Sequence, residues 1–182
     1  MDPRFIHLRL HTEYSLSDGI VQIPPLIAEA VKYRMPAIGI SDQCNLFATV
    51  KFYKEARQAG VKPIIGTDLW LYNEADPKKP FRFTLFCQHN QGYKNLLQLL
   101  SRAYLEGQLH DKAMVQRDWL KIYGEGLIAL SGADEGDVGQ ALLADDQTAV
   151  KKALGEQLAI LQGYPTSQLL ELRYKRLMSY GL

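Results

Sequence analysis

Residues 37–72, AIGISDQCNLFATVKFYKEARQAGVKPIIGTDLWLY, contain two apolar runs with one amphipathic segment between them. AIGIS follows Pro36 and predicts a buried strand, and VKPIIGTDLWLY predicts a second strand. The segment between them, LFATVKFYKEARQAG, has apolar residues at helical spacing and ends at Gly60 with Arg57 in its last turn. This order predicts a βαβ unit, in which a right-handed crossover joins two parallel strands.

The same alternation of strand and helix patterns extends in both directions from this unit. Upstream, RFIHLRL (4–10) predicts a strand that runs into a polar loop, and PPLIAEAVKYR (24–34) predicts a helix. The downstream patterns are a strand or hairpin partner (81–88), helices at 91–107 and 116–126, a strand at 127–132, helices at 135–144 and 147–163, and a last strand at 167–175. The whole pattern predicts an α/β fold with a mostly parallel sheet or barrel, with functional loops at the carboxyl ends of the strands.

Length and composition narrow the class of protein. A chain of 182 residues suits one domain, and a net charge of +1 gives no global electrostatic reason for tight binding to nucleic acid or to a membrane surface. Cys44 and Cys87 provide neither a disulfide framework nor four zinc thiolates, so we interpret both as small buried residues. No apolar run is long enough to span a bilayer, and the beginning of the chain does not have the pattern of a signal peptide. We therefore expect a cytoplasmic protein.

The first strand and its loop, HLRLHTEYSLSDG (7–19), carry the main candidate residues for metal chemistry. His7, Arg9 and His11 share one face of the predicted strand, because side chains two residues apart point to the same side. Two histidines separated by four residues lie about 13 Å apart on a strand, too far to share one ion. Arg9 between them would repel a cation, since a guanidinium does not lose its proton. The alternative interpretation is that both histidines are hydrogen-bonded residues of a barrel.

Several blocks of this chain resemble a known family in order and spacing. They are HLRLHTEYSLSDG (7–19), ISDQCNLFATVKFYKEARQAGVKPIIGTDLWL (40–71), FTLFCQHNQGYKNLLQLLSRAYLEG (83–107) and EGLIALSGADEGDVG (125–139). They are similar to the N-terminal PHP (polymerase and histidinol phosphatase) domain of the alpha subunit of bacterial replicative C-family DNA polymerases. The resemblance covers nearly all of residues 1–182. It implies a distorted PHP-type β/α barrel, which we expect to be incomplete at its C-terminal end, with the polymerase core absent from this chain.

The resemblance also implies where metal ligands would stand, and most of those positions have changed. Metal-bearing members have histidine at the positions of Arg9, Gln43 and Arg82, and cysteine at that of Ala133. Their glutamate after KPIIG is shortened here to Asp68. The residual candidate ligands are His11, Asp18 and Asp68.

A neutral amide is a poor ligand for a transition metal, and a guanidinium is none at all. We therefore expect a degenerate site with no catalytic residues and no required cofactor, the alternative being weak residual zinc or manganese binding. In place of metal ions we expect charge-assisted hydrogen bonds to hold the loops together. The expected ion-pair cluster contains Arg9, Asp18, Asp42, Asp68 and Arg82, and its sharpest prediction is a salt bridge from Arg9 to an aspartate.

The function implied by the resemblance is a structural and protein-interaction domain in DNA replication. The family consists of DNA-directed DNA polymerases, which are nucleotidyltransferases, but we predict that this chain alone is inactive. The partners implied are the proofreading exonuclease subunit and the polymerase core of the same longer chain, with DNA contacted indirectly and no membrane. Two alternatives from the enzyme class are a metal-dependent phosphoesterase or 3′-5′ exonuclease, and a free-standing sugar-phosphate or histidinol-phosphate phosphatase.

Overall fold

A computed structural model describes residues 5–16 and 18–162, with side chains up to residue 154. The six strands are β1 (Ala37–Ile40), β2 (Lys62–Leu71), β3 (Phe81–Cys87), β4 (Gln108–Leu109), β5 (Lys112–Val115) and β6 (Leu127–Ser131). The six α-helices are α1 (Ile23–Lys32), α2 (Thr49–Gln58), α3 (Asn90–Glu106), α4 (Arg117–Tyr123), α5 (Asp137–Leu143) and α6 (Gln147–Gln162). Short 3-10 turns lie at Glu13–Ser15 and Ala133–Glu135. The α/β class and the helices expected from the sequence are confirmed, whereas the strand expected at 167–175 lies outside the described residues.

The sheet is built around β2. It has the order β4-β5-β2-β3-β6, and β1 pairs with the first half of β2. β1 and β5 run parallel to β2, as expected of strands joined to it through helices. β3 is antiparallel to both β2 and β6, and β4 is antiparallel to β5. Over the described residues the sheet is therefore mixed, because a direct loop from β2 to β3 reverses the chain without a helical crossover. It is also open, since β4 and β6 at its two ends do not pair with each other.

Two apolar clusters lie under opposite parts of this sheet. Alternate residues of β2 and β3, such as Leu69 and Phe83, pack against Leu96 and Leu99 of α3. The second cluster joins α1 and α2 to β1, and Phe52 of α2 is fully buried in it. Because successive side chains of a strand point to opposite faces, Asp68 of β2 projects away from α3. The face that carries Asp68 is the one on which the candidate site is built. In the described part of the chain, every helix is too short or too polar to span a bilayer.

The segment expected to be the first strand, residues 5–11, forms no regular strand. It lies beside β1 through a few bonds: the Gly39 N–H donates to the His7 carbonyl at 2.7 Å, and the Ser41 N–H donates to the Leu10 carbonyl at 2.8 Å. Among the described residues these separate bonds do not continue into a regular ladder, and so the segment is not a strand. Gly39 makes the close approach workable, because an added Cβ would lie 2.5 Å from the Leu8 carbonyl oxygen.

We expect Gly39→Ala to push this segment away from β1. Overpacking of this kind costs about 1 to 3 kcal/mol in the free energy of unfolding. The same displacement would weaken the contacts of Arg9 and His11, which belong to the segment. Urea denaturation measures the loss, and an unchanged midpoint would mean that residues 5–11 are not held against β1.

Candidate functional site at the strand ends

Asp68 is the centre of the candidate site. Its side chain is fully buried in β2, yet it accepts three hydrogen bonds. One carboxylate oxygen, Oδ2, accepts from Arg9 Nε at 2.7 Å and faces His11 Nε2 at 2.9 Å. The other, Oδ1, accepts from the hydroxyl of Thr84, its cross-strand partner on β3. Burial opposes ionisation of Asp68, but the hydrogen bonds from His11, Thr84 and Arg9 outweigh it and hold its pKa below the usual value.

His11 joins Asp68 to the loop that follows it. Its Nδ1 lies 2.8 Å from Oδ2 of Asp18, while its Nε2 faces Asp68. A neutral imidazole has one N–H and can donate to only one of these carboxylates, whereas the imidazolium donates to both. The hydrogen bond to Asp68 accordingly raises the pKa of His11, against the opposing effect of burial. The two carboxylates thus favour the protonated form of His11, beside the guanidinium of Arg9.

Asp18 and Asp42 hold the same loop by different means. Asp18 also accepts from Ser15 Oγ at 2.5 Å. Burial raises its pKa, but the bonds from Ser15 and His11 outweigh burial and the net shift is downward. Asp42 is not paired with any arginine in the described part of the chain; it accepts from the N–H and hydroxyl of Thr12 at 2.6 and 2.8 Å. Burial raises the pKa of Asp42, which distinguishes it from the other two carboxylates.

Arg82 lies in the same region, but its carboxylate partner is Glu135 rather than one of the three aspartates. Its two terminal nitrogens donate to Glu135 and to Gln43 Oε1, each at 2.8 Å. The guanidinium lies 4.9 Å from the centre of the Trp70 ring. The register explains this placement, since Arg82 is paired with Trp70, one same-face position beyond Asp68. Arg82 Nε is buried, with no hydrogen-bond partner in the part of the chain described.

Gln43 and Ala133 complete the positions derived from the sequence. Gln43 Nε2 donates to the Asp68 carbonyl at 3.2 Å, so this amide ties the loop after β1 to β2. Ala133 begins the turn after β6 with φ of 51° and offers only a methyl group. The preceding Gly132 packs against the backbone of Arg82, where an added Cβ would lie 2.2 Å from the carbonyl oxygen. Arg9 and Gln43 therefore contact Asp68 directly, and Arg82 is linked to it through Gln43. Ala133, which follows Gly132, lies next to Arg82.

These residues do not fit a metal ion. The Arg9 guanidinium is in direct contact with the Asp68 carboxylate, and both nitrogens of His11 are already used by carboxylates. Gln43 presents an amide nitrogen to the centre of the site, and its oxygen accepts from Arg82. Within residues 5–16 and 18–162, no three His, Cys, Asp or Glu side chains form a group that could hold an ion.

Four residues of this network did not emerge from the sequence. Thr12, Ser15 and Thr84 supply hydroxyls to the carboxylates, and Glu135 supplies the counter-charge of Arg82. The three hydroxyl residues are common residue types with no diagnostic spacing. Glu135 stands two residues after Ala133 in EGLIALSGADEGDVG (125–139). An acidic residue just after a predicted strand was the signal that could have indicated a partner for Arg82.

Comparison with known proteins identifies the family. Residues 7–172 match the model of the PHP domain. The chain is 43% identical over 160 residues to the DNA polymerase III subunit alpha of Pseudomonas aeruginosa, covering 88% of this chain and 14% of the relative. For the subunit of the same name from Neisseria meningitidis, identity is 45% over 155 residues, covering 84% and 14%. For that of Escherichia coli, it is 40% over 153 residues, covering 84% and 13%.

Among solved structures, an amidohydrolase from Chromobacterium violaceum is 14% identical with a TM-score of 0.43, covering 54% of this chain and 32% of that one. The chain spans about one seventh of the length of the polymerase subunits that it matches. The match to the PHP model covers most of the chain and agrees with the resemblance seen in its sequence blocks. The chain belongs to the PHP domain family.

Proposed function

We propose that this chain is the N-terminal PHP domain of a bacterial replicative DNA polymerase III alpha subunit, and that it acts in the cytoplasm as a structural and protein-interaction domain. The relatives named above carry this domain as a small part of a much longer chain. The observation that carries the proposal is the contact of Arg9 and His11 with one carboxylate oxygen of Asp68. In this proposal Arg9 and protonated His11 supply the positive charge that a metal-dependent phosphoesterase would take from an ion.

The proposed role of the cluster is to hold three loops in fixed positions without a metal. Arg9 and His11 come from the first segment, Gln43 from the loop after β1, and Arg82 from β3. Each donates to an acceptor outside its own segment, so these side-chain bonds add to the backbone bonds that join the carboxyl ends of the strands. A rigid set of loops at one end of a sheet is a suitable surface for a protein partner. We propose the proofreading exonuclease subunit as that partner, with the polymerase core on the same longer chain.

The metal-free state is tested by titration with Zn²⁺ and Mn²⁺ in a calorimeter. We expect no stoichiometric binding with a submicromolar dissociation constant, and no hydrolysis of a phosphomonoester or of single-stranded DNA above that of the buffer. Stoichiometric binding that disappears in Asp18→Asn would contradict the proposal, and it would favour the alternative of a metal-dependent phosphoesterase or 3′-5′ exonuclease.

The interaction role is tested separately with the purified exonuclease subunit of the same organism. We expect a one-to-one complex on analytical ultracentrifugation in the presence of a chelator. Failure of the two proteins to associate at micromolar concentrations would refute the proposed partner.

A further inference from the structure

The face of the sheet opposite α3 carries more positive charge than the ion pairs described above use. Asp68, Trp70 and Arg82 share this face, because Leu69 and Phe83 point into the apolar cluster beneath. Lys112 of β5 joins them: its Nζ lies 4.2 Å from the centre of the Trp70 ring, and the Arg82 guanidinium lies 4.9 Å from the same point. Two cations thus flank one half-buried indole.

Some hydrogen-bond donors on this face have no acceptor among the described residues. Arg9 donates to Asp68 through Nε, and its two terminal amino groups have no partner among the residues described. Because 47% of the side chain is exposed, these groups are accessible to a ligand. Arg82 is balanced by Glu135. Lys112 has no carboxylate within reach in the described part of the chain, so one full positive charge is uncompensated.

The donors favour one kind of anion. The planar fork of a guanidinium matches the two oxygens of a carboxylate, so the terminal amino groups of Arg9 suit that group. A dianion is disfavoured, because Lys112 supplies only one uncompensated positive charge. The partly exposed carboxylate of Asp18 also interacts electrostatically with Arg82, and it would repel a second negative charge. A polyanion is disfavoured as well, since the net charge of the chain is only +1.

We propose that Arg82 and Lys112 beside Trp70, together with Arg9 on the neighbouring Asp68, form a cationic site that binds a carboxylate side chain from an acidic segment of a protein partner. The site names the chemistry by which the loops of this domain would recognise that partner. This inference rests on the proposed function, which includes a metal-free site. If a metal ion were bound at Asp68, the ion itself would attract anions.

The test uses ¹⁹F NMR of the chain labelled with 5-fluorotryptophan, in a chelator. The chain offers an internal control, since Trp70 and Trp119 are its two tryptophans and Trp119 also has an arginine over its ring, Arg102 at 4.5 Å. Trp119 is a buried member of the apolar cluster, whereas Trp70 is only partly buried and packs against it. The probe is a capped peptide of four glutamates, compared with a capped peptide of four glutamines and with a thymidine tetranucleotide.

We expect the glutamate peptide to shift the Trp70 signal saturably and to leave the Trp119 signal unmoved. Lys112→Met should weaken this binding about tenfold, the effect of losing one charged hydrogen bond, and Lys112→Arg should restore it. Lys94→Met, on the exposed side of α3, is the matched control and should change nothing.

Each contrary result has a separate meaning. No shift with the glutamate peptide, or an equal shift with the glutamine peptide, would overturn the carboxylate site while the metal titration still supports the proposed function. Tighter binding of the tetranucleotide would assign the site to nucleic acid and overturn the inference in this form. A shift that appears only when Mn²⁺ replaces the chelator would overturn both the inference and the proposed function.

Discussion

Asp68→Asn is expected to lower the free energy of unfolding by about 3 to 5 kcal/mol, the usual result of removing one partner from a buried ion pair. The carboxylate is fully buried and accepts from Arg9, His11 and Thr84. An asparagine has nearly the same shape, but one of its two ends is an amide nitrogen, which would face donors. The neutral amide would also leave the Arg9 guanidinium without its counter-charge. Urea denaturation monitored by circular dichroism measures the change.

Asp118→Asn is the matched control for this substitution. Asp118 is also paired with a cation, Lys121 at 2.7 Å, but the pair lies on the exposed surface of α4. Exposed pairs of this spacing contribute little, so the control should unfold at the same urea concentration as the unsubstituted chain. If Asp68→Asn were as stable as this control, the cluster would not be what joins the strand ends.

A double substitution separates burial from pairing. Arg9→Met combined with Asp68→Asn removes the uncompensated guanidinium that the single change leaves behind. We expect the double variant to be more stable than the sum of the two single effects predicts, by about 1 to 3 kcal/mol, since the two residues are in direct contact. Strict additivity would mean that Arg9 and Asp68 do not interact in solution.

The βαβ unit at residues 37–72 could be predicted because its signals are local. Pro36, the apolar run after it and Gly60 mark the ends of the elements whatever the rest of the chain does. The segment at 5–11 was less predictable, because alternation of apolar and polar residues shows that a strand is compatible with the sequence, not that a continuous ladder forms with a neighbour. The glycine at position 39 is the sequence feature that fits the close packing of this segment on β1, where the Leu8 carbonyl leaves no room for a Cβ.

The site shows the same division between residue type and register. The sequence indicates that Arg9 needs an acidic partner, but it left Asp18, Asp42 and Asp68 equally available. The choice depends on the placement of β2 beside the first segment, which is a tertiary contact. The register of β3 against β2 likewise puts Arg82 opposite Trp70, and its register against β6, in which Phe83 pairs with Ser131, brings Arg82 near Glu135. Long-range pairing of this kind has no local sequence signal.

The histidine of the cluster gives the second large effect, which depends on pH. The pKa of His11 is raised in the folded chain above its ordinary value near 6.5, so its contribution to stability is complete below that value. The contribution is lost as the pH rises through the folded pKa, because a neutral imidazole can donate to only one of Asp18 and Asp68. The pKa values of these two carboxylates are lowered, so their contribution is present above the ordinary range near 4 and is lost in acid. We therefore expect greatest stability between about pH 4 and pH 6.5.

His11→Gln should remove the alkaline half of this profile. A glutamine can donate to one carboxylate but carries no charge, so the variant should lose about 1.5 to 3 kcal/mol at pH 6, the range for hydrogen bonds to charged groups. The loss should shrink toward pH 9, where the imidazole of the unsubstituted chain is itself neutral. His110→Gln is the control, since His110 is an exposed histidine in the turn between β4 and β5.

Urea midpoints at half-unit intervals of pH supply the measurement. Asp42 shifts in the opposite direction from the other aspartates, so the acid side of the profile combines several groups, whereas the alkaline side is assigned to His11. A profile of His11→Gln parallel to that of the unsubstituted chain would show that His11 is not a cation in the folded protein. It would leave Arg9 as the sole cation on Asp68, and the two-cation replacement for a metal would have to be abandoned.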